Sequence, residues 1–390
     1  MATRVRSYSK INLGLAIGPA RPDGFHELLT LYQTLDLHDL VMVTAKRLDS
    51  GTETRITLTT NHPFVPRDGR NTAWRMVERC LERLGSAAEV EIHIEKRLPV
   101  QGGMGAGSAN AAAALLGLER ELGVTLPEEE RLELAAEIGS DVPLFLLGGA
   151  VLGTGRGEQV IAMPDFPKTW CVVAVPEVGV STPAAFKAWD ARMATESAES
   201  IEEEPSPRGA GRGMNGDATA EGELGEGLGL TRQLRLTSLP QVDTLRQLSL
   251  VYSSLSGEGD GKPGTSGILR DQSSEKQRDS LDNNQEHALK NLAENTLLAL
   301  VRTGIGNDFE EVVFPQYPSL RITKRQLMGS DSDGPAIYAA LSGSGSALFG
   351  LYRSEADAKA AQQRVQSSGV QALLTETLPR AEYWERMFAE

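Results

Sequence analysis

Three groups of residues in this sequence have the types and spacing for chemistry. The first is Leu98-Pro-Val-Gln-Gly-Gly-Met-Gly-Ala-Gly-Ser-Ala-Asn-Ala, ending at Ala111, with glycines at 102, 103, 105 and 107. Each glycine costs backbone entropy, so so many in one stretch suit a loop whose successive N–H groups turn inward as an anion-holding nest. An alanine-rich helix follows directly, with Ser108 placed to cap it, and a helix N-terminus is itself an anion site. Loop and helix together read as a phosphate cradle; the plainer reading is a glycine-rich turn between strand and helix. The second group is Lys10 and Asn12, which alternate with Ile11 and Leu13 and so project together from one face of a strand. A half-exposed strand with a solvated lysine gives the same pattern. The third is Asp141, between the helical run closed by Gly139 and the apolar Val142-Pro-Leu-Phe-Leu-Leu. It is either a working carboxylate or an Asx-turn residue before Pro143. Cradle, cation and carboxylate are the parts of a phosphoryl-transfer site, which must position phosphates, stabilise developing charge and take a proton from a hydroxyl.

A fourth, weaker group is Phe25-His26 after the turn dipeptide Asp23-Gly24. A ring beside an imidazole suits a flat heterocycle; the same pair also suits a buried aromatic next to a surface histidine. A second glycine-serine turn, Leu341-Ser-Gly-Ser-Gly-Ser, stands near the end between two strand patterns.

These groups need elements to hold them. Alternation predicts strands over Val5–Gly18 and Glu89–Glu95, and Val, Thr and Ile enrichment predicts strands over Leu40–Ala45 and Thr54–Thr60. Helices are expected over Asn71–Gly85, from Ser108, over Pro127–Gly139, around Ala184–Trp189, over Ala288–Thr303 and over Glu355–Gln366. The glycine loop therefore has a strand before it and a helix after it, but lacks the Gly-Lys-Ser/Thr ending of a P-loop. From about Met193 the composition changes. Residues 196–226 hold nine acids against Arg208 and Arg212 with no apolar periodicity. Residues 193–285 read as a mostly flexible insertion, with a short helix within Leu228–Val251; a compact acidic subdomain is the alternative.

The whole chain has 390 residues, 40% of them hydrophobic, enough for two domains, and a net charge of −14 that argues against nucleic-acid binding. Two cysteines, Cys80 and Cys171, make no disulfide framework or paired metal motif. No apolar run suggests a signal peptide or membrane span, so a cytoplasmic protein is expected.

Taken together, Pro99–Ala111 resembles the second motif of the GHMP kinases, and Leu341–Ser346 resembles their third. Lys10-Ile-Asn-Leu, Arg21-Pro-Asp-Gly-Phe-His-Glu-Leu, Gly139-Ser-Asp-Val-Pro-Leu-Phe and Asn307-Asp-Phe-Glu are similar to the branch acting on a cytidine diphosphate-linked methylerythritol in the non-mevalonate isoprenoid route. The resemblance covers about residues 3–190 and 286–380. It implies an α+β, two-domain fold, a ribosomal S5 domain 2-like N-terminal domain (about 1–165) and a C-terminal GHMP domain (166–390, interrupted by the insertion), with the site in the cleft between them. It implies transfer of the γ-phosphate of ATP, with Mg2+, to the acceptor's 2-hydroxyl. It places Asp141 as base, Lys10 as charge stabiliser, and Pro99, Val100, Gln101, Gly102, Gly103, Met104, Gly105, Ala106, Gly107, Ser108 and Ala109 at ATP. Asn12, Phe25, His26, Asn110 and Phe186 fall at the acceptor, the aromatics at cytosine. Ser108 is the candidate metal ligand. Phe25 stands where tyrosine is usual, Val100 and Gln101 where methionine and glycine are, Ala106 for a glycine and Ser140 for an alanine. Other GHMP kinases, homoserine kinase among them, and a non-catalytic nucleotide-binding scaffold are the competing readings.

Overall fold

The computed structural model describes residues 2–202, except 50 and 101, and 305–390, except 331 and 332; for 196–202 it describes the backbone alone. Most of the acidic insertion and the helix expected over Ala288–Thr303 lie outside these residues, as does Gln101.

Two long strands organise the molecule. β1 (Thr3–Ala20) and β2 (His26–Arg47) pair antiparallel through the turn at Asp23-Gly24, where the Asp23 carboxylate accepts from the Phe25 N–H. Register shifts between Tyr8 and Ser9 and between Asn12 and Gly14 interrupt β1; such bulges re-aim side chains. The β1–β2 pair spans both halves of the fold. On one half β2 pairs with β4 (Ala88–Glu95), which pairs parallel with β3 (Arg55–Thr60). The parallel pair is joined by α1 (Thr72–Arg83), capped by the Asn71 side chain, as a parallel connection requires a crossover. On the other half β2 pairs with β5 (Ala150–Thr154), which continues to β6 (Gln159–Ala162).

Helix α2 (Ala106–Leu122) lies on this sheet with α1, and α3 (Glu128–Ile138) packs against α1 and α2. Ala109 and Ala111–Ala114 are all buried, and small side chains let α2 lie close to β1 and β2. The approach is tightest at Gly117, where a Cβ would sit 2.7 Å from a Val43 methyl. This close seat brings the start of α2 to the middle of β1.

The second layer is an antiparallel sheet ordered β10-β7-β9-β8, from β7 (Trp170–Val175), β8 (Tyr338–Leu341), β9 (Leu348–Tyr352) and β10 (Gln371–Glu376). One face packs on helices α4 (Thr182–Glu202), α5 (Glu310–Gln316), α6 (Pro318–Met328) and α7 (Glu355–Gln366). The other meets the first layer in a shared apolar cluster that includes Ile11, Leu13, Leu98 and Met104 with Cys171, Phe349 and Leu351. Among the described residues no helix is long and apolar enough to cross a membrane.

Two expectations are corrected here. The helix at 184–189 does not end before Met193 but runs through the first acidic residues to Glu202. The second domain does not keep residues to 390. The chain returns to the first layer as α8 (Arg380–Glu385) and β11 (Phe388–Ala389), which pairs with β1 at Arg4 and Val5. The reason is apolar: Tyr383 and Met387 bury themselves in the first core with Tyr8 and Phe145.

Candidate active site

Lys10 is 2% exposed, so the solvated-strand reading fails. Its ammonium donates to Asn12 Oδ1 at 2.6 Å, stands 3.3 Å from Asp141 Oδ2 and lies 5.3 Å from the centre of the Tyr32 ring. Asn12 is fixed in turn: its amide donates to Thr30 Oγ1 at 2.8 Å, and the Thr30 hydroxyl donates to the Gly14 carbonyl at 2.9 Å. Asp141 follows α3 and precedes the buried 3-10 turn Pro143–Leu146. That turn anchors the backbone, while the carboxylate, about one-third exposed, faces β1 and opens outward. Its partners are Lys10 and Tyr32, whose hydroxyl donates to Oδ1 at 3.1 Å. Cation, amide and carboxylate thus form one cluster on buried supports, which is what preorganised electrostatic stabilisation demands.

The glycine loop passes beside this cluster. The Lys10 N–H donates to the Met104 carbonyl at 3.0 Å, stitching loop to strand. At the loop's entrance the buried Asp39 carboxylate accepts from the N–H groups of Arg97 and Leu98 and from the Lys96 ammonium. Ser108 is not the N-cap of α2. Gly105, in the left-handed region, occupies that position without a side-chain bond, and the helix begins at Ala106. Ser108 therefore sits in the first turn, half-exposed, with its hydroxyl oxygen 4.0 Å from where a Cβ on Gly139 would be. The free N–H groups at that end of the helix can receive an anion.

The second glycine-serine turn docks on the first. Ser342 Oγ donates to the Gly103 carbonyl at 3.0 Å, and the Ala347 N–H donates to the Gly102 carbonyl at 3.1 Å. Asn307 holds this turn by donating to the carbonyls of Leu341 and Gly343 at 2.8 and 2.7 Å. A cleft of about 550 Å³ opens where the two turns meet, lined by Gly102, Gly103, Ser344 and Gly345 with Val180, Ser181 and Thr182. At Gly103, φ is +81° and a Cβ would lie 2.1 Å from the Ser342 carbonyl oxygen. Gly103→Ala is expected to prise the turns apart, with a left-handed strain of about 1–3 kcal/mol lowering the melting temperature and nucleotide affinity falling with it. Unchanged nucleotide binding by calorimetry would show that the docking is dispensable.

The aromatic groups separate. His26 is buried, stacks on Phe186 at 4.7 Å and 11°, and meets Asp190 Oδ1 through Nε2 at 2.7 Å. Phe25 is 50% exposed, and the Arg156 guanidinium lies 4.8 Å from its ring centre. His26 and Phe186 therefore share a stack, whereas Phe25 presents an outer ring to a cation. Asn110, expected at the acceptor, is 4% exposed and accepts from Ser7 Oγ at 2.6 Å inside the α2–β1 contact; its position there is structural. The structure adds Thr30, Tyr32, Arg156 and Asn307. Only Asn307 carried a motif signal; the rest are single residues in ordinary strand and turn patterns.

Both halves of this arrangement have relatives. The sequence model for the GHMP kinases N terminal domain matches residues 71–149, and that for GHMP kinases C terminal matches residues 285–371. The chain has the two-domain α+β fold of the GHMP kinases. Within them it is similar to 4-diphosphocytidyl-2-C-methyl-D-erythritol kinases. It is 43% identical over 196 residues to that of Corynebacterium glutamicum strain R, which is 49% of this chain and 62% of the relative, and 42% identical over 193 residues to that of Streptomyces coelicolor, again 49% and 62%. The chain thus spans less than two thirds of the length of these curated relatives. Among solved structures, a 4-(cytidine 5'-diphospho)-2C-methyl-D-erythritol kinase aligns over 96% of this chain and 98% of its own, with TM-score 0.56 and 22% identity. A homoserine kinase from Cytophaga hutchinsonii aligns over 97% and 95%, with TM-score 0.57 and 17% identity. The two scores differ by too little for the fold to choose an acceptor.

Proposed function

We propose that this chain is an ATP-dependent kinase for the 2-hydroxyl of 4-diphosphocytidyl-2-C-methyl-D-erythritol. The observation that carries the reading is the cluster of Lys10, Asn12 and Asp141 beside two interlocked glycine turns. It supplies a base, a cation and an amide where a hydroxyl would meet a terminal phosphate. In this reading Asp141 accepts the hydroxyl proton, Lys10 offsets charge on the transferring phosphoryl group, and Asn12 orients the acceptor. Residues 99–109 hold ATP through backbone N–H groups. Phe25, His26 and Phe186 receive the cytosine. Among the described residues no three His, Cys, Asp or Glu side chains gather into a metal cage. A magnesium ion needs no such cage, since it takes one or two protein oxygens and the rest from phosphates and water. Ser108, half-exposed in the first turn of α2 next to Gly139, fits that role. Bound there, the ion would neutralise charge on the nucleotide phosphates. Both cysteines are buried and unpaired, in keeping with a reducing cytoplasm.

The acceptor decides the reading, because the glycine turns serve ATP in any kinase of this superfamily. An ADP-release assay on purified protein is expected to show turnover with the cytidyl methylerythritol and little with homoserine, mevalonate, galactose or methylerythritol 4-phosphate. Base stacking on a ring is worth roughly 1–3 kcal/mol, so Phe25→Ala should mainly raise KM. Equal rates with and without the cytidyl group would remove the cytosine pocket, and preference for homoserine would assign the protein elsewhere in the superfamily.

A further inference from the structure

Tyr32 has no part in the chemistry described so far, yet it touches the carboxylate at the centre of it. It lies on β2 opposite Asn12 and is 2% exposed. Its hydroxyl oxygen is 3.1 Å from Asp141 Oδ1 and 3.5 Å from the Gly157 carbonyl oxygen. Gly157 belongs to the turn between β5 and β6, and that turn is packed hard on the ring. A Cβ on Gly157 would fall 2.5 Å from the Tyr32 hydroxyl, and one on Gly153 2.6 Å from Cε2. The ring is therefore held in place and only its hydroxyl hydrogen is free to turn. Burial, and then the Asp141 charge, push the phenol well above its ordinary value of 10, so the oxygen keeps its proton. The charged groups facing this pair are Lys10 from β1 and Glu158 from the β5–β6 turn, Glu158 itself lying beside Arg156.

We propose that Tyr32 is a positioning residue for Asp141: a two-position hydrogen-bond donor that holds Oδ1 while the carboxylate is ionised and turns to the Gly157 carbonyl once it is protonated. The inference rests on Asp141 being the base. Oδ1 is then occupied and Oδ2, beside Lys10, takes the proton. In the transfer the acceptor O–H bond breaks and its proton binds Oδ2. The freed electron pair forms the new P–O bond, and the bond from the γ-phosphorus to the bridging oxygen breaks with its pair leaving on ADP. The Tyr32 proton never leaves its oxygen. A charge-assisted bond of this kind is stronger than a neutral one, so the phenol aims the base.

The test is the carboxyl-carbon NMR signal of Asp141 in the intact protein labelled at aspartate, assigned by its loss in Asp141→Asn, read together with steady-state kinetics. Tyr32→Phe is expected to shift that signal as the hydrogen bond to Oδ1 is lost, and to lower kcat severalfold with KM for ATP unchanged. Fluorotyrosine at position 32, a better donor of the same shape, should shift the signal in the opposite sense and keep kcat, and it decides the matter if Tyr32→Phe does not fold. A signal and a kcat that stay at their wild-type values overturn the proposal. If the wild-type protein turns over no cytidyl acceptor, the functional reading falls, while the NMR signal still judges Tyr32.

Discussion

Asp141→Asn is expected to lower kcat by roughly 10²–10⁴, the usual contribution of a positioned general base, with nucleotide binding and melting temperature close to wild type. The substitution keeps size and an oxygen that accepts from Tyr32, so the 3.1 Å contact has a replacement. What it removes is the group able to bind a proton next to Lys10. The carboxylate is also the part of the cluster that reaches solvent, about one-third exposed against 2% for Lys10, which is where an acceptor hydroxyl has to arrive. The measurements are steady-state rates with the cytidyl acceptor alongside nucleotide calorimetry. Turnover within a few-fold of wild type would return Asp141 to the status of a turn residue before Pro143.

Lys10→Ala should cost roughly 10²–10³ in kcat, the scale for losing one preorganised electrostatic group. A surface lysine would give no such effect. Here the stem is walled in, with Phe145 and Lys10 both against the Gly105 backbone, and the ammonium is 3.9 Å from a Cβ position on Gly343. The charge is thus held where the two glycine turns meet the carboxylate. Lys10→Arg should rescue little, because a planar fork does not fit a slot built for a compact ammonium. Residues that act as a unit are non-additive. The double variant Lys10→Ala with Asp141→Asn should therefore be only slightly worse than the poorer single variant. Fully multiplicative losses, or a single variant within a few-fold of wild type, would show that the 3.3 Å pair is not a catalytic unit.

Much of the scaffold was legible because its signals are local. Asn71 caps α1 and Gly139 closes α3 where the sequence places them, and the strand at Ala88–Glu95 follows its alternation. Lys10 and Asn12 were legible as neighbours, since strand spacing alone brings them together. The start of α2 was not. Ser108 reads as a cap, but Gly105 adopts a left-handed conformation without needing a side-chain bond, and the helix starts two residues before the serine. The resemblance places Asn110 at the acceptor, yet helix phase turns it onto β1 and Ser7. Tyr32 and Thr30 were illegible for a different reason. Their roles follow from the β1–β2 register, Asn12 against Tyr32, which depends on register shifts that no local pattern announces. The return of residues 380–389 to the first sheet is likewise a long-range pairing, with only scattered apolar residues to betray it.

That return has a consequence for how the protein is made. The Tyr383 hydroxyl donates to the Phe145 carbonyl at 2.6 Å and the Trp384 indole to the Leu147 carbonyl at 3.0 Å, so α8 clamps the turn that carries Asp141. Domains emerging from the ribosome fold from the N-terminal end first, yet this clamp is translated after every other described element except β11. A nascent chain can assemble the β1–β2 pair and the glycine loop long before the carboxylate is fastened beside them. On the proposed reading, catalytic competence arrives with the final segment of the described fold, and a chain stalled or clipped before Arg380 keeps its glycine turns while the turn that carries Asp141 loses its clamp.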